Sequence, residues 1–441
     1  MRRSPYTLKR SVRCGNSPVD ALILSTYDTD GAGKFALQQM NALQKLGYST
    51  QVICVRSRSG DACARGIIDG RPFQQITYRL VSEIDRRLFR PSPEHAFIHL
   101  HDLPDRTVLK SDVWPDECKL IICTFLSGMM SPSALLKIRE RYGNPPVVFY
   151  GVDMNLYTGG CHYSRDCTAY QDDCSKCPAV PRLLHARVKR AFAKKYKCYR
   201  EMQDHAVIAC SHQHQEQIQS SQLFRESDMR RILMHVSSDL YGKHESSRIA
   251  LKKDYGFAKN VVLIRSSSEP RKGCDLFIES IRSLHAESPE ILRDMTIVAI
   301  GDQYISDQLH DLDVDICSPG YISDDDQLSR LYSVADIFIN PSLADSGPVM
   351  LAQSLMSGTP VITTEVGLAT DLVVPLINGY VLNEASAENI KRGLVWFCQK
   401  SDDEQYEMRG KARSRAMMQL SESSYLKSLS SLANELIARS E

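Results

Sequence analysis

Short apolar runs alternate along the chain with longer segments whose apolar positions recur at helical spacing. Ala21–Thr26, Thr50–Val55, Ala96–His101, Lys119–Phe125, Pro146–Tyr150 and His205–Ser211 read as strands of the first half. Asn260–Ile264, Asp294–Gly301, Asp336–Asn340 and Val361–Thr364 supply the apolar runs of the second. After Ala21–Thr26, Gly31 and Gly33 open a helix with Ala36, Met40 and Leu43 on one face, and Gly47 ends it. After Asp336–Asn340, a turn with Asp345, Ser346, Gly347 and Pro348 leads into a helix over Val349–Met356, stopped by Gly358. Strand, turn, helix, Gly stop and strand is the unit of a parallel sheet, so the pattern predicts two doubly wound Rossmann-like α/β domains. Asp345 or Ser346 is placed to cap the second helix, and Pro348 suits its first turn. Backbone N–H groups and the helix dipole then face the strand's carboxyl end, where a diphosphate fits.

Length and charge narrow the reading. The 441 residues suffice for two or three domains. Lys and Arg number 54 against 53 Asp and Glu, which leaves no global field for nucleic acid. No run approaches the roughly 18 to 20 apolar residues of a membrane span. Residues 1–18 read as a flexible basic arm without the apolar core of a secretory signal. Cys54, Cys118, Cys123, Cys210 and Cys274 read as small core residues of a reduced, cytosolic protein. Cys161, Cys167, Cys174 and Cys177, spaced C-x5-C-x6-C-x2-C, suit a structural zinc site, with packed thiols or labile disulfides as the alternatives.

Other candidates are local. His99 and His101 share one strand face, and His101-Asp102 lies at the strand's carboxyl end. Arg182–Arg200 is a basic helix striped by Leu183, Leu184, Val188, Phe192 and Tyr196. Such a helix lies on an anionic membrane surface or presents a solvated face over a core stripe. The acidic run Asp324–Asp326 is expected to cap a helix over Gln327–Val334 rather than hold a metal.

The stretch PSLADSGPVMLAQSLMSGTPVI, continuing to the NGYVL that ends at Leu382, resembles the nucleotide-sugar motif of family 4 retaining glycosyltransferases. Those enzymes have the GT-B fold. GVDMNLYTGGCHYSRDCTAYQDDCSKCPAV is similar to the cysteine insert of a bacterial polysaccharide-synthesis branch of that family. The resemblance implies an acceptor-side domain over 19–215 with an insert at 158–178. A nucleotide-sugar domain over 245–420 follows, then a helix over 421–441 that returns to the first domain. Where the family has two Glu eight positions apart, this chain has Asp345 and Gln353. Lys272 is in register with a lysine that meets the donor diphosphate, and Ser267 stands where an arginine is usual, so Arg271 or Arg265 replaces that charge. The resemblance assigns Ser346, Gly347, Pro348 and Val349 to sugar and phosphate, Gln353 to the ribose, and Tyr321 and Ile322 to the base. Gly31, Ala32 and Gly33 form a loop facing donor phosphate or acceptor. Val152 takes the place of a histidine near the reacting sugar, leaving that role to His101, to Asp153 or to no side chain.

The activity so implied is metal-independent, front-face transfer of a sugar to a glycan or lipid-linked acceptor, in the cytoplasm or at the inner face of a membrane. The alternatives are a non-catalytic sugar-nucleotide-binding subunit, a nucleotide-sugar epimerase on the same fold, and a zinc-cluster nucleic-acid binder. Balanced charge and few aromatics near the cysteines count against the last.

Overall fold

The computed structural model describes residues 16–88 and 98–439. Most of the expected N-terminal arm, and Ala96 and Phe97 of the expected third strand, lie outside the described residues. The first sheet comprises β1 (Val19–Ser25), β2 (Thr50–Cys54), β3 (Ala64–Gly66), β4 (Cys118–Phe125), β5 (Val147–Tyr150), β6 (His205–Ala209) and β7 (Asp228–Arg231). Its order is β3-β2-β1-β4-β5-β6-β7. The second comprises β8 (Asn260–Ser266), β9 (Met295–Gly301), β10 (Asp315–Gly320), β11 (Ile337–Asn340), β12 (Val361–Thr363) and β13 (Gly379–Val381), in the order β10-β9-β8-β11-β12-β13. Every strand pairing in both is parallel.

Parallel sheets covered on both faces need strands apolar on both sides. Ala21, Leu22, Ile23 and Leu24 of β1 meet that demand with no exposure at all. Strand order reverses beside β1/β4 in one sheet and beside β8/β11 in the other. Open α/β sheets hold ligands at such reversals, outside the carboxyl ends of the strands.

The two domains are tied together at several points. The final helix, Glu422–Ala438, buries Tyr425, Leu429, Leu432, Ala433 and Leu436. It reaches the first domain through Lys45–Glu422, through Tyr48–Asn434 and through Arg230–Glu435 at 2.7 Å. The segments after β6 and β12 also meet, at the start of the helix His212–Ser220: His212 N–H donates to Asp371 (2.8 Å), and Gly367 N–H donates to the Gln213 side chain (2.7 Å).

Four expectations change. β7 belongs to the first sheet, so that sheet continues past residue 215 and the crossover begins after Arg231. Residues 98–101 are not a strand; Ile98 makes a single bridge to Cys161 of the insert. The basic helix is His185–Glu201, preceded by a 3-10 turn over Arg182–Leu184, and Leu183 is 91% exposed rather than part of a buried stripe. Pro348, not Asp345 or Ser346, occupies the position before the helix Val349–Met356, and no side chain caps that helix. Asp324 does cap the helix Asp325–Val334, accepting from Asp326 N–H (2.8 Å) and Gln327 N–H (3.3 Å).

Candidate functional site

Two loops build the site at the β8/β11 reversal. The first follows β8 and ends in a 3-10 turn, Pro270–Lys272, closed by Gly273 at φ +69°. A Cβ on Gly273 would stand 2.0 Å from the Pro341 carbonyl oxygen, so only glycine lets this loop lie against the loop after β11. Leu343 N–H then donates to the Arg271 carbonyl (2.7 Å), and the Arg271 guanidinium reaches the Ala344 carbonyl (3.4 Å).

This zipper sets the charges. The Lys272 ammonium donates to Asp345 Oδ2 at 2.6 Å, and an Arg271 nitrogen lies 3.6 Å from the same oxygen. Asp345 Oδ1 accepts from Gly347 N–H at 3.1 Å, two residues before the helix Val349–Met356 begins. Burial pushes the Asp345 carboxyl upward, but Lys272 and then Arg271 outweigh it, so it is held below its ordinary value. Burial, only partly offset by Asp345, holds the Lys272 ammonium below its ordinary value. The result is a buried cation beside the uncapped amino end of a helix, a place suited to an anion. The sequence reading placed Lys272, Arg271, Asp345, Ser346, Gly347, Pro348 and Val349 in one site, and the structure brings them together.

Three other donor-side residues are arranged differently. Gln353 lies on the same helix, its amide oxygen accepting from the Tyr332 hydroxyl (3.3 Å) and its amide N–H donating to the Tyr241 hydroxyl (2.7 Å). Tyr321 follows β10 and is 73% exposed, while Ile322 packs partly against the core.

On the facing domain, Gly31 and Gly33 lie in the helix Asp30–Lys45, whose amino end has no side-chain cap. A Cβ on Gly33 would collide with the Asp28 backbone at 2.5 Å, whereas Gly31, before Lys34, faces open space. Asp28 anchors this turn by accepting from the backbone N–H groups of Arg58 and Ser59. Lys34 reaches across to Asp325 of the second domain (3.4 Å).

His101 and Asp153 lie in separate networks. His101 is bonded to Arg187 on the basic helix (2.7 Å), and burial and that guanidinium lower its pKa. Asp153 is joined to His162, its pKa lowered because His162 outweighs the upward effect of burial. His162 in turn meets His99 (2.9 Å) and Ser127 (3.2 Å) and stacks on Phe125. Its neighbour Tyr163 lies under the Arg271 guanidinium, 4.5 Å from ring centre to Cζ. The cysteine insert therefore reaches the donor-side loop itself, through a residue the sequence reading did not single out. The only signal for it was adjacency, since Tyr163 closes the TGGCHY string. Cys210, expected in the core, is buried and also donates to the Ser346 carbonyl across the domain boundary (3.1 Å).

Cys161, Cys167, Cys174 and Cys177 line one cavity of about 10 Å³, and Gly159 N–H donates to Cys174 Sγ (3.2 Å). All four are free thiols, and among the described residues no three His, Cys, Asp or Glu are grouped so as to hold a metal ion. Cys63, which the sequence reading left aside, is disulfide-bonded.

Residues 247–415 match the family model of the glycosyl transferases group 1. No curated protein matches the chain. Among solved structures, the chain is similar to HepE of Anabaena in complex with UDP-glucose, at 14% identity and TM-score 0.60, covering 95% of this chain and 100% of that one. Sucrose-phosphate synthase of Thermosynechococcus elongatus is similar at 13% identity and TM-score 0.65, covering 96% and 100%. WaaG, a glycosyltransferase involved in lipopolysaccharide biosynthesis, is similar at 13% identity and TM-score 0.61, covering 94% and 99%. The chain thus has the GT-B fold of two facing Rossmann-like domains, and its second domain is matched over residues 247–415 by the group 1 glycosyl transferases.

Proposed function

We propose that the protein is a retaining glycosyltransferase that moves a sugar from a nucleotide-sugar donor to a glycan or lipid-linked acceptor. The observation that carries this reading is the buried Lys272–Asp345 pair at the amino end of an uncapped helix, flanked by Arg271. Breaking a sugar–diphosphate bond develops negative charge on the leaving oxygen. A cation and aligned N–H groups already in place stabilise that charge without reorganising. Lys272 and Arg271 take the diphosphate. Asp345 keeps Lys272 charged and oriented and, with the backbone of 346–349, holds the sugar hydroxyls. Transfer is front-face: the bond from sugar to diphosphate breaks, the acceptor oxygen bonds to the same carbon, and the acceptor proton passes to the departing phosphate. No protein base is then obligatory, which suits a chain with Val152 where relatives have histidine.

In this reading the chemistry requires no metal. The four insert thiols line one cavity without being grouped to hold a metal ion, and their packing braces the stretch of chain that carries His162 and Tyr163. Bacterial polysaccharide assembly is the setting that the insert suggests.

The test is a panel of nucleotide sugars assayed for nucleoside diphosphate release, with and without glycan acceptors. Lys272→Ala is expected to lose most turnover while keeping the wild-type circular dichroism spectrum. Unchanged turnover in that variant contradicts the phosphate site, and sugar interconversion without acceptor would favour an epimerase.

A further inference from the structure

A guanidinium meets a phosphate through its N–H edge and leaves its flat faces free for another contact. Arg271, in the turn Pro270–Lys272, has a side chain only 11% exposed. One of its terminal nitrogens lies 2.9 Å from a Glu269 carboxylate oxygen. The other lies 3.4 Å from the Ala344 carbonyl and 3.6 Å from Asp345. Its Nε has no hydrogen-bond partner among the described residues. A diphosphate taken up by Arg271 competes with Glu269 for the same N–H groups. A contact that spends no N–H group can hold the guanidinium in place through that exchange.

Tyr163 makes such a contact. Its ring centre is 4.5 Å from Arg271 Cζ. A cation is attracted to the face of an aromatic ring, and more strongly where water is excluded. Burial, and then the Asp345 carboxylate, push the Tyr163 hydroxyl upward against the opposing pull of Arg271, so the ring stays neutral.

The ring is itself held firmly. Before it, the His162 carbonyl accepts from Met154 N–H (3.1 Å); after it, Ser164 N–H donates to the Met154 sulfur (3.2 Å). The His162 side chain is pinned by Asp153, His99 and Ser127, and the Cys161 carbonyl accepts from the Thr158 hydroxyl (2.7 Å). The chain is thus tied to the first domain on both sides of Tyr163, while the ring reaches the second. Cys210 grips the other donor-side loop from the same domain, through the Ser346 carbonyl (3.1 Å). Both loops of the donor site are therefore braced from across the domain boundary.

We propose that Tyr163 is a positioning residue for the donor site. Its ring face holds the Arg271 guanidinium while the N–H groups pass from Glu269 to the donor diphosphate, so tight donor binding depends on the cysteine insert of the facing domain. The inference deepens the glycosyltransferase reading and rests on it for the identity of the ligand.

The test titrates UDP, GDP and ADP into the full-length protein by calorimetry and follows the tightest of them through a set of variants. Tyr163→Leu keeps apolar bulk and is expected to bind about five- to tenfold more weakly, whereas Tyr163→Phe keeps the ring and is expected to stay within about twofold. Phenylalanine at 163 fluorinated on one, two and three ring carbons keeps the ring's size and drains its face of electrons, so affinity is expected to fall stepwise. That series carries the test if thermal unfolding shows Tyr163→Leu to be misfolded, because a space-filling role would leave the fluorinated proteins alike. Glu269→Gln is expected to bind more tightly, and equal or weaker binding would overturn the exchange. Affinity indifferent to fluorination, or equal loss in Tyr163→Phe and Tyr163→Leu, would overturn the positioning role. If Lys272→Ala weakens the diphosphate and the Tyr163 variants do not, the inference fails while the donor site stands. If neither weakens it, the donor-site reading fails as well.

Discussion

Lys272 and Asp345 depend on each other. Removing either leaves a buried charge whose remaining partners are weaker, and breaking a buried pair from one side costs roughly 3–5 kcal/mol. Lys272→Met/Asp345→Leu removes both charges, so it is expected to lose less stability than Asp345→Leu alone, measured as denaturant midpoint, yet to remain inactive. Gln353 makes a separate prediction. A carboxylate there would accept from both Tyr241 and Tyr332 and present more acceptor capacity to a ribose. Gln353→Glu is therefore expected to tighten donor binding, and weaker binding of every nucleotide sugar would count against that placement. His214 supplies the pH dependence. Burial drives its pKa down to about 4, with Asp153 opposing. The unfolded ring titrates near 6.5, so the unfolded chain binds more protons between those values. Stability is expected to be full above about 6.5 and to fall as pH drops toward 4. His214→Gln should flatten that part of the stability–pH curve.

At the level of elements, Gly273 is the hinge of the donor side. Gly273→Ala is expected to cost about 1–3 kcal/mol, from a left-handed backbone and a clash with Pro341, and to weaken donor binding as the loops part. Thermal unfolding and calorimetry on one sample would show both, and an unaltered melting temperature would contradict the packing described. The insert carries a metal prediction: its four thiols are not grouped to hold an ion, so metal analysis should return no stoichiometric zinc, and about one zinc per chain would contradict the packing described. Much of this scale was legible in the chain. The helix Val349–Met356 and its Gly stop followed from apolar spacing, because a buried helix between two buried strands leaves little freedom in pattern. The uncapped amino end was not legible. Asp345 is a good capping residue by type, but the buried Lys272 ammonium, 73 positions away, holds that carboxylate. Tyr163 was hidden for the same reason, since its partner Arg271 lies in another domain. The helix Pro72–Leu88 exposes its apolar positions Phe73, Ile76, Leu80 and Ile84, and periodicity alone does not say which way an apolar stripe points.

For the whole molecule, both sheets follow from two runs of alternating strand and helix, while their mutual placement rests on long-range contacts. The Glu422–Ala438 helix buries five apolar side chains, and the ion pairs that tie it down lie hundreds of residues apart in sequence. A chain ending at Leu420 is expected to lose cooperative unfolding of the two domains, seen by calorimetry as two transitions in place of one. The central claim is that charge from two turns gathers a nucleotide's diphosphate. Isothermal titration of a nucleoside diphosphate and the matching monophosphate into wild type and Lys272→Ala tests it most directly. The account predicts that wild type prefers the diphosphate and that Lys272→Ala weakens it by at least about tenfold, roughly 1.4 kcal/mol, with little effect on the monophosphate; equal diphosphate affinity in the two proteins would contradict it.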